Sequence, residues 1–127
     1  MFENCKNTKQ QGNIGLGQAI AWFIQNQYTV SIPINDSQDY DLVVEKDNVL
    51  QTVSVKTSSY KAPSGGYQVG LRSTGGNSGR VLRNFDDYNV NLLFILCSDG
   101  SKYLIPRKEL TVVNSIVVGN KYTEYKI

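Results

Sequence analysis

Two stretches rich in β-forming residues lie on either side of a short turn near the middle of the chain. Residues 40–45 and 49–56 are separated by Lys46-Asp47-Asn48, and Asp and Asn are typical of tight turns. This pattern predicts a β-hairpin with Asp47 and Asn48 at its tip. Because a short turn fixes how two strands pair, the hairpin restricts the chain to one register.

The register of the hairpin decides which side chains share a face. We expect Asp41 to lie opposite Ser54, and Asp39 opposite Lys56. Side chains alternate between the two faces of a strand, so Asp41, Ser54 and Lys56 should lie on one face. The apolar residues between them should point the other way into a core; they are Leu42, Val44, Val53 and Val55. A carboxylate and a lysine held on one rigid face of a sheet could form the basis of a functional site.

The sequence motifs of this hairpin also resemble those of a known family. Y-D-L-V-V begins at Tyr40 and V-S-V-K-T ends at Thr57, and together they resemble the PD-(D/E)XK nucleases, more narrowly their group I intron-associated branch. The resemblance extends through G-N-I-G, V-S-I-P and K-Y-L-I-P and covers most of the chain from Gly12 onward. It implies an α/β (α+β) fold with a restriction-endonuclease-like core, in which helices flank a mixed central β-sheet. Residues 1–127 should form a single domain of this kind.

The resemblance also implies a catalytic centre. In the family, the motif Asp and the backbone carbonyl before the Lys hold a divalent metal, which here implies Asp41 and the carbonyl of Val55 as ligands of Mg²⁺ or Mn²⁺. Lys56 then orients the attacking water or helps to deprotonate it. Ser54 stands where relatives carry Glu, Asp or Gln, and its neutral hydroxyl is a weaker ligand. The expected catalytic residues are Asp41, Ser54 and Lys56.

Other residues depart from the family pattern or offer support to the metal. Leu16 lies where the first helix of many relatives carries a Glu, and Gln18 is nearby. Asp36 and Asp39 precede Asp41 and could supply a further carboxylate. Asn91 occupies a place where the family pattern has Asp, and we expect its role to be structural. Gln18, Asp36 and Asp39 are therefore expected as supporting residues.

A basic segment follows the hairpin. No acidic residue occurs between Asp47 and Asp86, while five basic ones do: Lys56, Lys61, Arg72, Arg80 and Arg83. A basic segment interleaved with tyrosines suits the phosphate backbone of a nucleic acid. We therefore expect the basic residues after the hairpin to contact DNA; they are Lys61, Arg72, Arg80 and Arg83. The alternative is a solvated loop whose charges have no role.

A helix is predicted over residues 13–27, with Asn13 as its N-cap. Its apolar stripe consists of Leu16, Ile20, Phe23 and Ile24. No charged residue occurs between Gln10 and Asn35. Either the helix is buried under the sheet, or its second face, which includes Trp22, contributes to a subunit interface. The resemblance implies a homo-oligomer, either a dimer or a tetramer.

Further strands are predicted on both sides of the basic segment. A continuous apolar run at 91–97 indicates a strand buried on both faces. It is followed by a turn and a return strand at 101–105, which completes a second hairpin. Shorter strands are expected over 28–34 and 68–72, and a strand over 112–118 is uncertain because polar residues interrupt it.

Composition excludes several kinds of chemistry. The sequence has no histidine, so Ser-His-Asp and Cys-His catalysis and histidine-metal nucleases are impossible within one chain. The net charge of +2 is too small to indicate nucleic-acid binding by itself. Cys5 and Cys97 lack metal-ligand spacing, and no apolar run approaches the ~20 residues of a membrane span. We expect a cytoplasmic protein with reduced thiols.

Three functions from different classes fit these observations. The first is a Mg²⁺-dependent DNA endonuclease, similar to homing endonucleases or junction resolvases. The second is a catalytically degenerate PD-(D/E)XK-fold protein that binds DNA without cutting it. The third is an interaction module that uses the uncharged helix as its working surface.

Overall fold

The structure is a computed structural model that describes residues 1–71, 90–111 and 114–127. One α-helix, α1 (Thr8–Gln25), precedes seven strands in this part of the chain. The strands are β1 (Thr29–Ser31), β2 (Leu42–Lys46), β3 (Val49–Ser58), β4 (Tyr67–Gly70), β5 (Leu92–Cys97), β6 (Lys102–Pro106) and β7 (Ser115–Val118). Short 3-10 turns follow β6 and β7, at Arg107–Glu109 and Thr123–Tyr125. The helix found in these ranges is not long and apolar enough to cross a membrane.

The helix begins earlier than its apolar periodicity predicts. Asn7, not Asn13, is the N-cap, and its side chain accepts a hydrogen bond of 3.0 Å from the backbone N–H of Gln10. The first turn is polar, so a hydrophobic stripe does not reveal it. The predicted end near Asn26 is confirmed.

The stripe that α1 buries also differs from the prediction. Its buried residues are Gly15, Ala19 and Phe23, which are spaced four apart and face the sheet. Ile24 is 56% exposed, because it lies to one side of this line. The two smallest members of the stripe allow the helix to approach the sheet closely.

Five strands form the central sheet in the order β1-β2-β3-β5-β6. β3 and β5 are parallel, whereas the other three pairings are antiparallel, so the expected mixed sheet is confirmed. The predicted hairpin register is also confirmed, because Leu42 lies opposite Val53. Asp47 and Asn48 have φ values of 53° and 66°, as a type I′ turn requires.

Separate cores lie on the two faces of the central sheet. On one face α1 packs against alternate strand residues: Leu42, Val44, Val53, Leu92, Phe94 and Leu96. On the other face β4 and β7 form a two-stranded antiparallel sheet, which we call the β4–β7 ribbon. The ribbon covers Leu93, Ile95 and Cys97. β5 is therefore buried on both faces, as its apolar run predicts.

The pairing of β2 with β3 ends before the second half of β3. The last paired residues are Leu42 and Val53, so Ser54–Ser58 has β5 on one side and no described strand on the other. We call this unpaired side the open edge of β3. The expected pairing of Asp39 with Lys56 is wrong, because the two strands separate before reaching it.

Candidate active site

Asp41 is held at the point where the two strands separate. Its backbone N–H donates to the carbonyl of Val53 over 2.8 Å. Its side-chain Oδ2 accepts a hydrogen bond of 2.7 Å from the backbone N–H of Val55. The carboxylate thus satisfies a backbone group that a neighbouring strand would otherwise bind, and this fixes its position at the open edge of β3.

The carbonyl of Val55 points towards the same edge. In an extended strand the N–H and C=O of one residue point to the same neighbour, and the N–H of Val55 points to Asp41. The two oxygen donors expected for a metal therefore lie on one side of β3. The second carboxylate oxygen of Asp41 has no hydrogen bond to the described residues.

This donor set suits a hard divalent cation, which prefers oxygen ligands. Its side-chain ligand is the carboxylate of Asp41, and no group of three or more Asp, Glu, Cys or His side chains occurs within the described ranges. Water would have to complete the coordination of an ion such as Mg²⁺, which usually keeps several waters in protein sites.

Lys56 lies one residue beyond Val55, half-buried beside Ile95 of β5. Burial lowers the pKa of its ammonium group, and the negative charge of Asp41 offsets part of this effect. Asp41 is exposed at the open edge of β3. Partial desolvation of its carboxylate nevertheless raises its pKa, while the Val55 N–H and Lys56 act in the opposite direction. The two side chains are not in salt-bridge contact, so they are not an exposed ion pair of the kind that surface hairpins carry.

Ser54 is 2% exposed. Extending the hairpin register by one residue brings Ser54 opposite Asp41, as the sequence predicts. Ser54 and Lys56 share the face that the β4–β7 ribbon covers, since Leu93 and Ile95 are their neighbours in β5. The structure therefore brings Asp41, Ser54, Val55 and Lys56 together.

The helix contributes a residue that sequence reasoning missed. Nε2 of Gln11 donates a hydrogen bond of 2.9 Å to Oγ1 of Thr57, next to Lys56. Leu16 instead packs against the helix-side core, and Gln18 is half-buried two turns beyond Gln11. Gln11 was missed because the helix was predicted to begin after it. Asn7 followed by Gln10 is the capping signal that could have revealed it.

The residues before Asp41 differ in exposure. Asp36 is exposed and Asp39 is half-buried, and neither belongs to a group of three potential ligands within the described chain. Two residues before Ser54 in β3, the N–H and hydroxyl of Thr52 donate hydrogen bonds to Oδ1 of Asn91, over 2.8 and 3.1 Å. An Asp could accept the same bonds, so the role of Asn91 is structural.

Of the basic residues expected to contact DNA, Lys61 is described. It is exposed, and its Nζ lies 5.0 Å from the centre of the Tyr67 ring. Arg72, Arg80 and Arg83 lie outside the described residues.

Trp22, the residue expected at a subunit interface, is half-buried and packs against Phe23 and Tyr28, with ring centres 5.1 and 6.3 Å away.

Comparison with known families agrees with this arrangement. The family model for PD-(D/E)XK endonuclease matches residues 6–124. The chain belongs to the PD-(D/E)XK endonuclease family. In the solved structures, the bacterial homing endonuclease I-Ssp6803I resembles this PD-(D/E)XK protein with a TM-score of 0.78 and 21% identity, over 94% of this chain and 88% of that one. At this identity the likeness shows a shared fold. No curated protein matches the chain.

Proposed function

We propose that this protein is a metal-dependent DNA endonuclease that hydrolyses phosphodiester bonds, with residues 1–127 as one domain. Its membership of a nuclease family supports the reaction class, and a neighbour described as a homing endonuclease supports DNA as the substrate. The observation that carries the proposal is the 2.7 Å hydrogen bond between Asp41 and Val55. It holds a carboxylate beside a backbone carbonyl, one residue from a partly buried lysine.

Asp41 and the Val55 carbonyl would hold Mg²⁺ or Mn²⁺. When bound, the metal would neutralise phosphate charge and lower the pKa of water. Lys56 is suited to positioning the attacking water and to balancing the charge that develops on the phosphate. The lowered pKa of Lys56 brings its proton exchange closer to neutral pH. Gln11 helps to hold Thr57, and with it the strand that carries Lys56.

Nicking of supercoiled plasmid in Mg²⁺, Mn²⁺ or EDTA tests this proposal. Asp41→Asn should reduce the metal-dependent nicking rate by at least about 100-fold, because an oxygen ligand of the metal and its charge are lost together. Lys56→Met should give a loss of about 100-fold or more, as expected for a group acting directly on the reacting atoms. Asp47→Asn, at the exposed hairpin tip, is the matched control and should nick at the wild-type rate. Nicking that persists in EDTA, or in Asp41→Asn, would contradict the proposal.

A second candidate is a degenerate member of the family that binds DNA without cutting it. The observation in its favour is the buried hydroxyl of Ser54 at the position where a second carboxylate would serve the metal. An inert wild-type protein that still binds duplex DNA, with affinity falling as salt is raised, would establish this function instead. An inert protein without affinity for DNA would favour a protein-interaction module.

We further propose a cytoplasmic homo-oligomer, either a dimer or a tetramer. Cutting both strands of a duplex requires two sites, and a symmetric assembly supplies them. The uncharged helical region exposes Ile24 next to the half-buried Trp22. Sedimentation should give a mass at least twice that of the 14.2 kDa chain, and Trp22→Glu should lower it. A wild-type monomer at micromolar concentration would refute this arrangement.

A further inference from the structure

Tyr60 is the one aromatic residue classed as exposed within residues 1–71, 90–111 and 114–127, with 63% of its surface accessible. It follows the end of β3, and its backbone is fixed, because its carbonyl accepts a hydrogen bond of 2.9 Å from the N–H of Gln68. The next residue, Lys61, pairs with Tyr67. An ordered backbone therefore presents a large apolar ring to solvent, where burial on a partner would stabilise it.

The turn that joins Tyr60 to β4 is tightly packed against β7. A Cβ added to Gly66 would lie 2.5 Å from the carbonyl oxygen of Val118. The side chain of Asn120 donates to the carbonyl of Ser64 over 2.6 Å. These contacts tie Tyr60 and the β4–β7 ribbon into one unit.

The outer face of the ribbon continues the surface that begins at Tyr60. Tyr67 and Val69 are buried, whereas Gln68 and Gly70 between them are exposed. Tyr60, Gln68 and Gly70 line an open concavity of about 340 Å³. No described atom lies within 4 Å of the position that a Cβ of Gly70 would occupy, so a partner can approach the backbone there.

The chemistry of this surface matches the edge of an A·T base pair. A two-stranded β-ribbon fits the major groove of B-DNA, Gln can bind adenine N6 and N7 together, and apolar side chains contact the thymine methyl group. The side-chain amide of Gln68 makes no hydrogen bond to the described residues, and the neighbouring exposed charge is that of Lys61. Among the lining residues that the structure describes, none carries a carboxylate that would repel phosphate.

We propose that the outer face of the β4–β7 ribbon, together with Tyr60, reads A·T base pairs in the major groove. Gln68 contacts adenine, Tyr60 packs on the thymine methyl, and Gly70 allows the groove to come close. The inference rests on the proposed action on DNA and adds the residues that select sequence. Tyr60 is four residues from Lys56, at most ~14 Å along an extended strand. At 3.4 Å per base pair, this separation corresponds to the length of about four base pairs.

The test selects bound duplexes from a randomised DNA pool in EDTA, so that binding is measured without cleavage. The wild-type protein should enrich A·T pairs at one or more positions. Gln68→Ala should lower that enrichment by about 5- to 150-fold, the discrimination expected of a bidentate base contact. Gln68→Glu should shift the preference towards cytosine, since its carboxylate accepts a hydrogen bond from cytosine N4. Gln25→Ala, an exposed glutamine at the end of α1, is the matched control and should leave the selected sequences unchanged.

Substitutions at two further positions, Tyr60 and Gly70, separate DNA contact from folding. Tyr60→Phe should bind as wild type does, whereas Tyr60→Ala should weaken binding to the selected duplex more than Leu50→Ala, an exposed control at the hairpin tip. Gly70→Val should preserve thermal stability but obstruct the groove and reduce binding.

The inference would be overturned if wild type selected no sequence, or if Gln68→Ala and Gly70→Val both selected the wild-type sequences with wild-type affinity. The plasmid assay reports separately on the proposed function. A protein that selects A·T pairs but never nicks would refute the nuclease proposal alone. One that nicks while the ribbon variants keep the wild-type sequence preference would refute the base-reading proposal alone.

Discussion

Gly15 should be essential for the close approach of α1 to the strand that carries Lys56. A Cβ added at Gly15 would lie 2.5 Å from Cγ2 of Thr57 and 3.4 Å from Cγ1 of Val55. The first distance is far below van der Waals contact, so Gly15→Ala must displace the helix or rotate Thr57. In contrast, a Cβ at Gly17 has no described neighbour within 4 Å. The same substitution at two positions of one helix should therefore change the free energy of unfolding by different amounts.

The expected magnitudes follow from two terms. Replacing Gly by Ala inside a helix stabilises it by about 1 kcal/mol, and Gly17→Ala should raise the free energy of unfolding by this amount. Gly15→Ala gains the same helix stabilisation, but overpacking against Thr57 lowers the free energy of unfolding by about 1–3 kcal/mol. It should therefore be neutral or destabilising by up to about 2 kcal/mol. The two variants should differ by about 1–3 kcal/mol.

Urea denaturation followed by Trp22 fluorescence provides the assay. Trp22 is the only tryptophan of the chain and packs against Phe23, so its emission reports on the helix. Thr57→Ser removes the obstructing methyl while keeping a hydroxyl for Gln11. Combined with Gly15→Ala, it should recover about 1 kcal/mol or more relative to the sum of the single changes, as expected for residues in direct contact.

The nicking rate links this contact to the site. Gly15→Ala should also slow nicking, because it disturbs Thr57 next to Lys56, whereas Gly17→Ala should not. The reasoning fails if Gly15→Ala stabilises the protein as much as Gly17→Ala does, or if Thr57→Ser gives no coupling with it.

Three other predictions concern the charges at the site. Lys56→Met should raise the pKa of Asp41 further, because it removes an attraction that lowers it, and an NMR titration of the Asp41 carboxyl carbon should move to higher pH. Folding lowers the pKa of Lys56 below 10.5. The free energy of unfolding of the wild-type protein should therefore rise with pH between the folded-state pKa and 10.5. Urea denaturation should show this rise in wild type and not in Lys56→Met. Ser54→Glu should lower the melting temperature in EDTA, because it buries a carboxylate opposite Asp41. Mn²⁺ should then raise the melting temperature of this variant more than that of wild type. Equal responses to Mn²⁺ would refute a ligand role for this position.

The hairpin and its catalytic motif were predictable because both depend on local sequence. Asp47 and Asn48 favour the turn, and alternating apolar residues fix which face is buried, so the register of Asp41 with Ser54 follows from the sequence. The parallel neighbour of β3 was predictable as a buried strand from its unbroken apolar run. The first turn of α1 was not predictable, because its polar residues show no apolar periodicity. The supporting residue Gln11 lies in that turn and was therefore missed.

Tertiary structure alone decided how the site is closed and held. The β4–β7 ribbon joins strands that are distant in sequence, and although Tyr67, Val69, Ile116 and Val118 show alternation, nothing local specifies their pairing. The ribbon covers the face of the sheet that carries Lys56, and this burial lowers the pKa of Lys56. Likewise, the two strands separate beyond the Leu42–Val53 pair, which makes the carboxylate of Asp41 the hydrogen-bond partner of the Val55 N–H. Sequence determined which residues could form the site, while packing between distant segments determined their burial, the direction in which their pKa values shift and the direction in which they point.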